Sequence, residues 1–286
     1  MKKDDNLVLL DMNTGEVLSE NFTILNEGDR VYRKAQLDYA RKKEVRRQFS
    51  VEFIWMLFQY GKPLSLGIQQ EYLPCLILAA TCCSEDYLVG RKEYLRRALN
   101  MNKNQWGMFW KEATGCNLLV EKGDVVYINS NHFCKGEIKT DINFIRIFAE
   151  FYRALYDVVA GSRVQQRRVS YILDMIPFLN RQTNILSHNR KEQDNDDVVY
   201  MSFNEFCDKI GYDRSHSARL KNQLGKFRVD GERVIGFFDN ITTLIPNGKY
   251  VIVNPKLCFG GDKNESGYKT ARTLFKKEQE EWFVNR

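Results

Sequence analysis

Asn247-Gly248-Lys249-Tyr250-Val251-Ile252-Val253-Asn254-Pro255-Lys256-Leu257-Cys258-Phe259-Gly260-Gly261 repeats a stretch that the chain has already used. The earlier copy is Lys122-Gly123-Asp124-Val125-Val126-Tyr127-Ile128-Asn129-Ser130-Asn131-His132-Phe133-Cys134-Lys135-Gly136. At a constant offset (248 − 123 = 125) both read as turn glycine, polar residue, four strand residues, Asn, and a short segment ending in Gly. Glycine accepts the positive φ of a tight turn and the β-branched run fills a pleat, so each stretch predicts a hairpin.

Two further segments precede these hairpins at another constant offset (206 − 95 = 111). Residues 91–100 and 103–116 pair with 202–211 and 214–227, matching Leu95 with Phe206, Leu99 with Ile210, Phe109 with Leu220 and Ala113 with Leu224. Each predicts a short helix, a corner holding Asn or Gly, and a second helix with apolar residues at helical spacing. The offset grows by 14 (125 − 111), which an extra strand over Val234–Phe238 accounts for. Helix, turn, helix, hairpin is the winged-helix order, and the chain carries it twice.

The expected fold class is therefore α+β and mostly helical, with two tandem winged-helix domains joined by a long helix and a small N-terminal β-hairpin element. The boundaries read as 1–48 for the N-terminal hairpins and a basic segment, 49–138 and 163–262 for the two winged domains, 139–162 for the connecting helix, and 263–286 for a tail. Phe49–Tyr60 and Leu66–Cys83 predict core helices, the latter kinked at Pro74 or starting near it. Thr140 or Asp141 is expected to cap an amphipathic helix through Tyr156, ended by Gly161. At 1.5 Å per residue a helix over 140–160 spans roughly 30 Å. That length lets one monomer set both second helices on one face of a duplex, about one turn apart. The first helix of the second domain is expected over Tyr171–Leu179.

With 286 residues, 43% hydrophobic and 28% charged, the chain has room for two cores of ordinary composition. A net charge of +6 permits an anionic partner. No apolar run approaches the roughly 18 residues a membrane span needs, and Met1-Lys2-Lys3-Asp4-Asp5 does not open a signal peptide, so the expected location is the cytoplasm. Seven cysteines without a Cys-x-x-Cys pair read as reduced thiols. The acidic run Ser187–Asp197 reads as a solvated loop. No P-loop, no His-x-His pair and no nucleophile with a base stands in the sequence, so neither catalysis, nor a metal, nor a cofactor is expected.

Projecting 214–227 at 100° per residue puts Leu220, Leu224 and Phe227 inside and Ser215, Ala218, Arg219, Asn222 and Lys226 outside, with Arg214 at the start. Arg can donate bidentately to guanine and Asn can pair with adenine, which suits major-groove reading. The matching outer face in the first copy is Asn104, Gly107, Met108 and Lys111, thinner in donors, with Arg96, Arg97 and Lys103 placed for phosphates. Lys122 and Lys249 stand at the two hairpin turns as further phosphate candidates. Between Arg33 and Arg47, the basic residues Arg41, Lys42 and Lys43 read either as a phosphate-contacting arm or as a solvated helix face.

Leu118–Gly136 with the Phe144–Tyr156 stretch, and Phe178-Leu179-Asn180 through Tyr250-Val251-Ile252-Val253-Asn254-Pro255 to Gly260-Gly261, resemble replication initiators of plasmids and phages from low-GC Gram-positive bacteria. That family's winged domain ends in a Val/Ile-Asn-Pro strand followed by a Phe-x-Gly or Gly-Gly element. The opening Asp11-Met12-Asn13-Thr14-Gly15-Glu16-Val17 is similar to phage members. In the first copy Ser130 replaces the proline. The resemblance implies sequence-specific binding of origin repeats in double-stranded DNA, as monomer or homodimer, with host replication or transcription machinery as further partners and no membrane. A phage or plasmid transcriptional regulator is the nearest alternative, followed by a nuclease or recombinase and by a protein-only partition adaptor.

Overall fold

The computed structural model describes residues 8–10, 17–20, 53–58, 61–64, 66–84, 86–135, 144–192, 197–238, 250–260, 268–269, 271–273 and 275–276. The chain divides into two units, Met1–Ser50 and Val51–Arg286. In the first unit, β1 (Val8–Leu10) and β2 (Val17–Glu20) pair antiparallel, Val8 opposite Glu20 and Leu9 opposite Ser19. The expected hairpin is thus present. The segment Arg33–Arg47 lies outside the described residues.

The second unit is α+β, with helices and small antiparallel sheets. Its first half runs β3 (Phe53–Leu57), α1 (Leu73–Thr81), β4 (Leu88–Arg91), α2 (Lys92–Ala98), α3 (Lys103–Gly115), β5 (Leu119–Lys122), β6 (Val125–Ile128) and β7 (Phe133–Cys134). The second runs β8 (Phe144–Phe148), α4 (Ala149–Val159), α5 (Arg163–Asp174), α6 (Phe203–Lys209), α7 (Ser217–Leu224), the hairpin β9 (Arg228–Val229) and β10 (Glu232–Arg233), β11 (Ile235–Phe238), β12 (Tyr250–Val253) and β13 (Cys258–Phe259).

The repeat extends to hydrogen bonds. Asn100 and Gly211, both at the corner between paired helices (211 − 100 = 111), have φ of 49° and 68°. Asn102 caps α3 and Asp213 (213 − 102 = 111) caps the 3-10 turn Arg214–His216 that leads into α7. Leu95, Phe206, Phe109, Leu220, Ala113 and Leu224 are all buried, as the pairing requires. After each hairpin stands the same asparagine knot. Asn129 donates its amide N–H to Leu118 and its side chain to Asn117, and its Oδ1 accepts from Asn131. Asn254 donates to Val234 and Arg233 in the same way, and its Oδ1 accepts from Lys256.

Those bonds correct the account of the insertion. Val234 takes the place of Leu118 (234 − 118 = 116), so β11 is the counterpart of β5, not an additional strand. The added residues are the β9–β10 hairpin before it and a longer 239–249 connection, which with its Asn247-Gly248-Lys249 turn lies outside the described residues. Sheet order agrees: β4-β6-β5 in the first half, and in the second Ile185 bridged to β12, which pairs with β11.

Two predicted helices are strands. Residues 53–57, expected inside a helix over Phe49–Tyr60, and 144–148, expected inside the connecting helix, form the middle of the four-stranded sheet β13-β8-β3-β7. The connection therefore comprises β8 and an α4 of 11 residues, not one helix over 139–162. Ile54, Met56, Ile145 and Ile147 alternate onto the core while Trp55, Phe144, Arg146 and Phe148 take the other face, a period of two that only a strand supplies. The two strands are themselves a repeat (144 − 53 = 91), Phe-Ile-Trp-Met-Leu against Phe-Ile-Arg-Ile-Phe. Their register is two-fold symmetric. Phe53 faces Phe148 and Leu57 faces Phe144, while Met56 pairs with Phe133 of β7 and its equivalent Ile147 pairs with Cys258 of β13.

The halves share one continuous core. α1 is apolar over its whole length apart from Thr81, begins with Pro74 in its first turn, and packs on α4 and α5. Tyr152 donates its hydroxyl to the Pro74 carbonyl (2.9 Å), Tyr156 to Leu99 (2.9 Å), and Arg167 pairs with the buried Glu71 carboxylate at 3.0 Å. The first helix of the second half starts at Arg163, capped by Ser162, and stops at Asp174, earlier at both ends than expected. Ile176–Phe178 follow as a 3-10 turn because Pro177 has no N–H to continue the ladder. Tyr268, Ala271 and Phe275 of the tail pack against the second half.

Candidate nucleic-acid interface

The second half collects its predicted residues on one element. Ser202 and Glu205 close a capping box at the start of α6, and Gly211 turns the chain into the Arg214–His216 turn and α7. Leu220 and Leu224 anchor α7 to the core, so the residues between them are turned out. Arg214, Ser215, Ala218, Arg219, Asn222 and Lys226 are all exposed. Arg214 is held by Asp208 at 2.8 Å, and the Ser215 hydroxyl donates to Asp213 at 2.8 Å. That bond and a second from the Ser215 backbone N–H keep the Asp213 carboxyl below its usual range. Arg219 and Lys226 have no ion pair among the described residues. Lys221 differs: half-buried, it lies 5.1 Å from the Phe237 ring and belongs to the scaffold.

Four cations among the described residues of the first half are paired within it. Lys103, Asn104, Gly107, Met108 and Lys111 form the exposed face of α3, while Trp106, Phe109 and Ala113 face the core. Arg96 and Arg97, expected at phosphates, both bind Glu93 (2.8 and 3.2 Å), whose carboxyl is held below its ordinary range first by the Arg96 bond. Sequence reasoning passed over Arg91 and Lys92, which pair with Asp124 and Glu121 of the β5–β6 hairpin (3.4 and 3.0 Å). That pairing depends on β4 lying beside β6, a long-range contact no local pattern announces. Lys92 also sits 4.2 Å from the Trp110 ring, and Lys122 5.1 Å from the Tyr127 ring. Lys249, Arg41, Lys42 and Lys43 lie outside the described residues.

His132 lies where burial pushes its imidazole down, His188 contacts Glu205 at 3.6 Å, and His216 is in the turn before α7. Among the described residues no group of His, Cys, Asp and Glu is placed to hold a metal ion. Cys75 and Cys258 are buried and their thiols pushed up to about 12, whereas Cys82 is exposed. Among the described residues no helix is long and apolar enough to cross a membrane.

Comparison with known proteins returns no matching family model, no matching curated protein and no matching solved structure.

Proposed function

We propose that the chain is a sequence-specific double-stranded DNA-binding protein of the phage or plasmid replication-initiator kind, built on two winged-helix units. The observation that carries the reading is the outer face of α7, where Arg219, Asn222 and Lys226 stand exposed in a unit that occurs twice. Helix, strand, two helices and a hairpin, with β4 beside β6 in the first half and an isolated bridge from Ile185 to β12 in the second, support the winged-helix assignment. Arg96, Arg97, Arg91 and Lys92 of the first half are paired internally, whereas Arg219 and Lys226 on α7 have no ion pair among the described residues, which favours the second half as the stronger phosphate binder. The two-fold register of β3 and β8 supports two half-sites in inverted orientation for one monomer, as a two-fold helix-turn-helix dimer has with two chains. The initiator role itself rests on the resemblance of the Asn-Pro strand and the Gly-Gly element. It is a binding role in the cytoplasm, with host replication proteins recruited to bound origin repeats.

Selection of bound duplexes from random fragments tests the reading. The expected result is one preferred sequence, found as iterated copies within or beside the gene. Enrichment of a single operator in a divergent promoter would make the protein a regulator instead, and no enrichment would refute DNA recognition.

A further inference from the structure

Gly107 and Met108 stand together on the exposed face of α3. Gly107 lies in the interior of a 13-residue helix. Its backbone is outside the positive-φ region, and a Cβ built there would meet nothing within 4 Å. Neither conformation nor packing among the described residues calls for glycine, yet glycine is less favourable than alanine at such a position. Met108 is 44% exposed, an apolar side chain turned to solvent amid Lys103, Asn104 and Lys111. At the 111-residue offset these positions match Ala218 and Arg219 of α7. Both halves thus keep a small residue beside the central reading position, while the reader itself changes from a cation to a thioether.

A small residue permits close backbone approach, and in the major groove the one apolar feature of a base edge is the thymine 5-methyl. We infer that Gly107 and Met108 determine the specificity of the first half. Gly107 lets α3 approach the base edges, and Met108 packs on a thymine methyl where Arg219 meets guanine in the second half-site. The inference deepens the DNA-binding reading and rests on it. It explains how a half with Arg91, Lys92, Arg96 and Arg97 paired internally contributes sequence discrimination.

The test uses the full chain and a duplex obtained by selection, with each thymine in turn replaced by deoxyuridine to remove only the methyl. One position in the first half-site should lower wild-type affinity roughly three- to fivefold, the worth of one buried methyl. The same replacement should leave Met108→Ala unaffected. Gly107→Leu should raise the melting temperature, because leucine favours the helix over glycine, while weakening specific binding about tenfold, whereas Gly107→Ala, which reproduces Ala218 of α7, should keep specific binding; a purely structural glycine would not couple the opposite changes of the leucine variant. A flat deoxyuridine scan with a wild-type protein that binds the duplex specifically would overturn this inference alone, as would undiminished affinity in Gly107→Leu. Failure of the wild type to prefer any duplex would overturn both this inference and the DNA-binding reading.

Discussion

Trp55 and Arg146 are register partners at the centre of the four-stranded sheet, the guanidinium 5.4 Å from the indole centroid. They are also equivalent positions of the repeat, and the only ones in the two strands where apolar faces charged. A two-fold relation brings equivalent side chains side by side at its axis. A flat indole and a planar cation can stack there, where two indoles would crowd and two guanidiniums would repel. Trp55→Arg should therefore cost about 3–5 kcal/mol by setting a second cation in a site only 6% exposed. Urea unfolding checks it, and a cost below that of Arg146→Ala would show that the stack does not matter.

The asparagine knots should differ in strength. Asn254 is fully buried, so Asn254→Ala leaves the buried Arg233 carbonyl without its side-chain partner, at about 1–3 kcal/mol, and also removes the half-buried bond from the Lys256 N–H. Asn129 is half-buried, and water can replace its bonds, so Asn129→Ala should cost less. Equal losses in thermal unfolding would refute the burial argument.

Asp174 gives the fold a pH dependence. Burial pushes its carboxyl from 3.8 up to about 7, against an opposing hydrogen bond from the Leu64 backbone. The folded state therefore holds the proton more tightly than the unfolded chain. The stability this contributes is fully present below about pH 4 and is lost as pH rises through about 7. Asp174→Asn should match wild type near pH 4 and exceed it by roughly 2–4 kcal/mol at pH 8. Denaturant midpoints at the two pH values decide, and no difference at pH 8 would place the ionised carboxylate in contact with water.

Much of this architecture was readable because it occurs twice. Leu95 with Phe206 and Phe109 with Leu220 fixed the helix pairs, and Gly123 announced the first hairpin. The two strands at 53–57 and 144–148 were not legible. Both are short apolar runs with Phe and Ile, and over five residues a buried strand and a helix segment have the same hydrophobic profile. Their identity is set by pairing with each other across 91 residues of chain. Misreading both as helices also concealed their repeat. On the candidate site, exposure of Arg219, Asn222 and Lys226 followed from periodicity, whereas the capture of Arg96 and Arg97 by Glu93 needed side-chain geometry.

Arg219→Ala should lower affinity for the preferred duplex by roughly 1–3 kcal/mol and relax selectivity at one base pair. Binding isotherms on preferred and random DNA separate the roles, since equal losses on both would make Arg219 a phosphate contact.

The basic segment of the first unit should act without sequence preference. Replacing Arg41, Lys42 and Lys43 by Ala should weaken binding to all duplexes alike and reduce the log–log salt slope by roughly 0.9 per lost phosphate contact. An unchanged slope would leave this segment off the DNA.

Hydroxyl-radical footprinting of a monomer on its selected duplex tests the two-fold account most directly. The account predicts two protected patches on one face, centred a whole number of helical turns apart. Their half-sites should run in inverted orientation, with the deeper protection under α7 and the shallower under α3. A single protected half-turn, or two half-sites in the same orientation, would contradict it.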